Sequence, residues 1–179
     1  MPVPILATAR LVLRPWRTSD LESVFAYASD PEFIRYLPIE PITTLEEERV
    51  WIEGQLALDP AIHPTWAITL DDVAIGGVNA RLDPGRGTAE IGYGVGNMHW
   101  GKGFTTEAAG AVAGWLFAHT PIARLAATAD TRNIGSWRVM EKLGMTREGV
   151  LRSDRTVRGE RADTVVYSVL RQEWEDRRR

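Results

Sequence analysis

The chain contains no cysteine, which excludes disulfides, thiolate metal sites and a cysteine nucleophile. Histidine is nearly as scarce: His63, His99 and His119 are scattered without the spacing of a metal-ligand set, so no metal is expected. Lysine occurs only as Lys102 and Lys142, and arginine supplies nearly all the positive charge. No apolar run reaches membrane-spanning length, and Met1 to Arg10 lacks a basic segment followed by a long apolar stretch. These absences lead us to expect a cytoplasmic protein without membrane association. A net charge of -3 and a pI near 5.7 argue against direct nucleic-acid binding, which calls for a basic domain. What is present suits a globular chain: 44% hydrophobic and 25% charged residues over 179 positions are enough for a single domain, 1–179, with a sizeable core.

One stretch stands out. From Gly94 to Glu107 a strand-like run gives way to a helix through Gly96-Asn97-Met98-His99-Trp100-Gly101-Lys102-Gly103. The first turn of a helix has N–H groups without intrahelical partners, and the helix dipole adds positive character at that end. Gly101 and Gly103 lack the Cβ atoms that would keep an anion away, and Lys102 places a cation between them. The turn either cradles a phosphate or merely uses glycine for its backbone angles.

Around it the periodicities alternate. Leu11 to Leu13 reads as a short strand ended by Pro15, and a helix capped by Thr18 or Ser19 follows, with Leu21, Val24, Phe25 and Ala28 at helical spacing. Thr43 or Thr44 with a glutamate three residues on forms a capping box for a helix running to Leu58, whose acids Glu46, Glu47 and Glu48 are expected on a solvated face. Trp66 to Leu70, Val73 to Leu82 and Thr88 to Val95 predict three antiparallel strands. Alternation puts Glu90 with Gly92 and Gly94, opposite Ile91 and Tyr93. Thr105 to His119 predicts a helix with an apolar stripe of Ala108, Ala111, Val112, Trp115 and Leu116. Leu125 to Ala129 is a short buried strand, Ser136 to Leu143 a helix closed by Gly144, and Met145 to Arg155 and Ala162 to Leu170 two further strands joined by an Arg-rich loop. The tail from Glu173 to Arg179 is expected to be a solvated helix end.

A nucleotide-binding P-loop is the main competitor, because Gly96 to Lys102 matches glycine, four residues, glycine, lysine. Gly103 then occupies the place of the magnesium-binding hydroxyl, and the preceding strands read as hairpins rather than a parallel sheet. The dinucleotide fingerprint fares worse, since Gly92, Gly94 and Gly96 have the wrong spacing.

Taken together, the pieces resemble the GNAT acetyltransferase superfamily, and most closely its RimJ/RimL-like branch. They are Thr8 to Trp16, Ile75-Gly76-Gly77, Ala89 to Tyr93, Trp100 to Ala108, and Asn133 to Ser136 followed by Glu141 to Met145, covering about residues 8–170. The resemblance implies an α+β fold: a mixed, mostly antiparallel twisted sheet of about seven strands flanked by about four helices. That sheet would be splayed at an acetyl-CoA site between the strands ending at Val95 and Ala129. It implies an N-acetyltransferase that moves the acetyl group of acetyl-CoA to a primary amine, on a small molecule or a protein N-terminus, by direct attack in a ternary complex. Glu90 would be the base; Val95 and Gly96 would hold the thioester carbonyl. Trp100, Gly101, Lys102, Gly103, Phe104 and Thr105 would surround the pyrophosphate, with Trp100 expected to pack under the turn. Asn133 and Ser136 would lie against the CoA arm, Ser136 also assisting the leaving thiolate, although both can act simply as helix caps.

Two departures from the family pattern matter. Met140 stands where many members carry a tyrosine acid, and methionine donates no proton. Met98 replaces a common arginine or glutamine, removing one phosphate contact. The missing acid keeps a CoA-binding sensor or interaction module open as an alternative. His99 reads as a surface loop residue; Tyr93 and Trp66 can line the acceptor channel or pack. Arg152, Arg155, Arg158 and Arg161 can favour an anionic acceptor or partner, or form a solvated loop. A monomer or homodimer is expected.

Overall fold

A computed structural model of the chain describes residues 2–177. Its elements run β1 (Leu6–Ala7), β2 (Val12–Arg14), α1 (Leu21–Ala28), α2 (Leu45–Ala57), β3 (Thr65–Leu70), β4 (Val73–Asp83), β5 (Thr88–Val95), α3 (Phe104–His119), β6 (Arg124–Asp130), α4 (Ile134–Lys142), β7 (Thr146–Val157), β8 (Glu160–Leu170) and α5 (Arg171–Asp176). The mixed α+β architecture matches expectation; β1, too short to carry a period, is an addition, and the helix end expected in the tail is α5, which starts two residues earlier at Arg171. The end of that tail, Arg178 and Arg179, lies outside the described residues.

The strands form one sheet in the order β1-β2-β3-β4-β5-β6-β8-β7. Its described pairs are antiparallel except β5 with β6, the strands joined by the α3 crossover. That arrangement is far from the parallel sheet a P-loop hydrolase needs. Strand alternation divides the apolar residues between two faces. Trp66, Ile68, Val78, Ile91 and Leu125 bury against α3, whose inward stripe is Ala108, Ala109, Val112, Ala113, Leu116 and Phe117. This stripe is rotated slightly from the expected one, leaving Ala111 and Trp115 half-buried. Ala67 and Ala74 face the other way, toward Trp16, Val24, Ala28 and Ile52 of the α1–α2 layer. Full burial of one such large apolar side chain is worth about 1.5–3 kcal/mol, so the larger first cluster dominates stability. Trp66 is a core residue, its Nε1 donating to the Pro4 carbonyl, and does not line a channel.

Three local expectations change. Neither Thr18 nor Ser19 caps α1: a 3₁₀ turn over Thr18–Asp20 precedes it, and buried Asp20 accepts from the Arg17 N–H while forming a bidentate pair with Arg14 at 2.7 and 2.9 Å. The capping box of α2 is Thr44 with Glu47. In its acidic run, Glu46 and Glu47 are exposed, but Glu48 is wholly buried one turn before Ile52, and neither of its oxygens has a hydrogen-bond partner. Burial alone pushes the Glu48 carboxyl up to about 7. The Arg-rich loop is a tight hairpin turn in which Arg158 (φ 51) and Gly159 (φ 77) both take left-handed angles, as a two-residue type I′ connection requires.

Candidate active site

The glycine-rich turn has the geometry of an anion cradle. A 3₁₀ turn over Asn97–His99 leads to Gly101 (φ 74) and Gly103 (φ 81), both left-handed. Gly103 is the N-cap of α3 and offers no capping side chain, so the N–H groups of the first turn face outward uncapped. A Cβ at Gly101 would meet no atom within 4 Å, which leaves the approach open. Lys102 is exposed beside it, and Met98, 82% exposed, offers no polar contact. Trp100 does not pack under the turn: it is half exposed, and its Nε1 donates to the Val95 carbonyl at 2.8 Å. His99 is half-buried rather than a surface residue, with Nδ1 unpartnered; burial and then Lys102 hold its ring below the usual pKa.

A clamp from the N-terminal segment fixes this turn. The Arg10 guanidinium lies 4.5 Å over the Phe104 ring, donates Nη1 to the Lys102 carbonyl at 2.9 Å and Nε to Glu107 Oε2 at 2.7 Å. Glu107 Oε1 also accepts from the Arg10 N–H and from Thr8 Oγ1. Burial pushes the Glu107 carboxyl up, but the hydrogen bonds from Thr8 and Arg10 outweigh it and hold the pKa below the ordinary value.

The sheet opens next to this turn. β5 and β6 pair only at Thr88, Ala89 and Glu90 with Arg124, Leu125 and Ala126, then diverge toward Val95 and Asp130. Gly96 N–H donates to the Ile75 carbonyl at 2.9 Å, so alternation turns the Val95 N–H away from β4 and into the gap. Gly96 itself lies against Tyr27, where a Cβ would come within 2.7 Å of the tyrosine Cβ. Across the gap, Asn133 caps α4, its Oδ1 accepting from the Ser136 N–H at 3.1 Å. The Ser136 carbonyl accepts from Tyr93 OH at 3.0 Å, a tie from β5 to α4. Burial raises the Tyr93 pKa above that of a free phenol. Met140 is buried in the main core.

Glu90 lies on the opposite face of the sheet, where α1 and α2 cover the strands up to β4 but leave Glu90, Gly92 and Thr128 half exposed. Its Oε2 accepts from Arg81 Nη2 at 2.7 Å and its Oε1 from Thr128 Oγ1 at 3.2 Å. Beyond Thr128, Asp130 is paired with Arg132 at 2.8 Å, and hydrogen bonds from Arg132 hold its carboxyl below the usual range. The turn after α1 closes one side of this trough. Phe33 packs edge-on to Tyr27 and touches Gly94, and the Ile34 carbonyl accepts from Arg158 Nη2 at 2.9 Å. Of the four arginines in and around the hairpin, Arg155 alone reaches Thr128, beside Glu90. Sequence reasoning missed the roles of Arg10 and Thr128, and it named Arg155 only as one of four arginines able to favour an anionic acceptor. The face alternation that selected Glu90 would have found Thr128 once β6 was in register, whereas nothing local orients Arg10 or Arg155.

With this geometry in hand, comparison with known proteins is direct. The Acetyltransferase (GNAT) domain family matches residues 10–146. The chain is 33% identical over 174 residues to the uncharacterized N-acetyltransferase p20 of Bacillus licheniformis, covering 94% of this chain and 97% of p20. A GNAT-family acetyltransferase structure from Bacillus anthracis superposes with a TM-score of 0.85 at 28% identity, over 95% of this chain and all of that one. The ribosomal L7/L12 α-N-protein acetyltransferase RimL, solved with coenzyme A, shares the fold at a TM-score of 0.83 and 19% identity, over 93% of this chain and 98% of RimL. The chain therefore belongs to the GNAT family, as an acetyl-CoA-dependent acyltransferase.

Proposed function

We propose that the protein transfers the acetyl group of acetyl-CoA directly to a primary amine, on a small molecule or a protein N-terminus, in a ternary complex. The observation that carries this reading is the gap between β5 and β6, which opens beside the uncapped first turn of α3 and receives the Val95 N–H. The pyrophosphate sits on Gly101, Lys102, Gly103, Phe104 and Thr105, with Trp100 at the rim. Val95 donates to the thioester carbonyl, Gly96 takes no part in holding it because its N–H is bonded to Ile75 and its missing side chain makes room for Tyr27, and Asn133 and Ser136 flank the CoA arm. The amine attacks the thioester carbon, the C–N bond forms as the C–S bond breaks, and the amine proton passes to Glu90 directly or through water. The Ser136 hydroxyl or water protonates the leaving thiolate, since Met140 cannot. Arg81 occupies one Glu90 oxygen at 2.7 Å, so Oε1, held only by Thr128, is the oxygen that takes the proton.

Acetyl-CoA turnover against a panel of amines and peptides tests the reaction. Glu90→Gln is expected to lower turnover by about a hundredfold or more while leaving CoA affinity similar, in line with the loss of a general base. An unchanged rate profile removes Glu90 from that role.

A further inference from the structure

Two arginines around the Glu90 trough are hydrogen-bonded to carboxylates and a third is not. Arg81 is matched to Glu90 at 2.7 Å and Arg132 to Asp130 at 2.8 Å. Arg155 is different. Its Nε donates to Thr164 Oγ1 at 2.6 Å and its Nη2 approaches Thr128 Oγ1 at 3.4 Å, both neutral hydroxyls. Asp154 forms a long ion pair with Nε at 3.9 Å, the Asp130 carboxylate also feels the Arg155 charge, and Nη1 has no hydrogen-bond partner among the described residues. The side chain is only 21% exposed. The register break in β7 explains its placement: Leu151 opposes Thr164 and Arg155 opposes Ala162, so extra residues bulge out and carry Arg155 onto the trough.

A guanidinium pinned by neutral hydroxyl acceptors, partly desolvated and hydrogen-bonded to no carboxylate, is a preorganised receptor for one. Thr128 Oγ1 lies 3.2 Å from Glu90 Oε1 and 3.4 Å from Arg155 Nη2, so both charged groups touch one atom. A ligand that places an ammonium or amine at Glu90 and an anion at Arg155 must therefore be short. We propose that the acceptor is an α- or β-amino acid, its amine at Glu90 and its carboxylate on Arg155. This rests on the acetyl-transfer reading above and narrows its substrate class.

Paired acceptors isolate the carboxylate: alanine against alaninamide, and β-alanine against β-alaninamide, extended across the common amino acids. The wild-type protein is expected to favour the best acid over its amide by about tenfold or more in kcat/KM, the scale of one hydrogen-bonded charge pair. Arg155→Gln, which can still reach Thr164, should erase that preference while the KM for acetyl-CoA stays within about twofold, and Arg155→Lys should fall between. The comparison of variants cancels the lower basicity of the amides. Calorimetric titration of the same acids and amides into CoA-loaded protein supplies a readout independent of turnover. Amides bound or acetylated as well as acids by the wild type, or a preference retained by both variants, overturns the proposal. Absence of acetylation with acid-selective binding that Arg155→Gln abolishes would refute the reaction and leave the carboxylate site standing.

Discussion

Two glutamates on helices packed against the same sheet make opposite bargains with burial. Glu107 on α3 collects donors from Thr8 and Arg10, and Arg10 in turn ties down Lys102. Glu48 on α2 is more deeply buried and has none. The difference separates a glycine-rich turn tied down by hydrogen bonds from a helical layer on the other face of the sheet that carries an uncompensated group. Tyr27 links the two regions: it packs on Gly96, and its hydroxyl pKa is raised first by burial and then by the Glu48 charge.

The contrast breaks most sharply at Glu48. Its folded pKa of about 7 lies above the unfolded value of 4.5, so the native state keeps a proton that the unfolded chain releases. Stability is therefore unpenalised below about pH 4.5, declines as pH rises toward 7, and carries the full cost above it, about 3 kcal/mol. Glu48→Gln should raise the thermal midpoint at pH 8 by several degrees and lose that advantage at pH 4.5; a pH-independent difference would show that the carboxyl finds a partner in solution. Glu107→Ala should do the reverse, lowering stability by about 2 kcal/mol through the stranded Arg10 and raising the KM for acetyl-CoA. An unaltered KM with lowered stability would confine the clamp to a folding role. Gly103→Ala forces a side chain into φ 81 and is expected to cost about 1–2 kcal/mol, with weaker CoA binding by calorimetry. Asn133→Ala, which removes the α4 cap, should cost about 1 kcal/mol in denaturant melts.

The sequence was legible where a short period or a backbone constraint speaks locally. Alternation placed β3, β4 and β5 within a residue or two, and Gly101 and Gly103 marked the turn because no other residue fits their angles easily. Glu48 was misread because three consecutive acids look solvated, although the four-residue step to Ile52 puts the third on the inward stripe. The Thr18 and Ser19 caps failed because Asp20, drawn to Arg14, reached the Arg17 N–H instead. Arg155 could not be singled out from Arg152, Arg158 and Arg161 because its direction depends on a bulge in β7 and on a threonine two strands away. Such long-range placements arise only when the sheet assembles.

The three-residue pairing of β5 and β6 bears on hydrogen exchange as well as on shape. Past Glu90 each strand has one neighbour instead of two, so the Val95 amide lies at an interior seam with no ladder partner. In the ligand-free protein that amide should exchange with deuterated solvent far faster than the Gly96 amide beside it, which is bonded to Ile75. A thioester ligand that fills the seam acts as a ninth, non-peptide strand and should slow exchange at Val95 selectively, leaving a residue-level trace of occupancy that requires no acceptor at all.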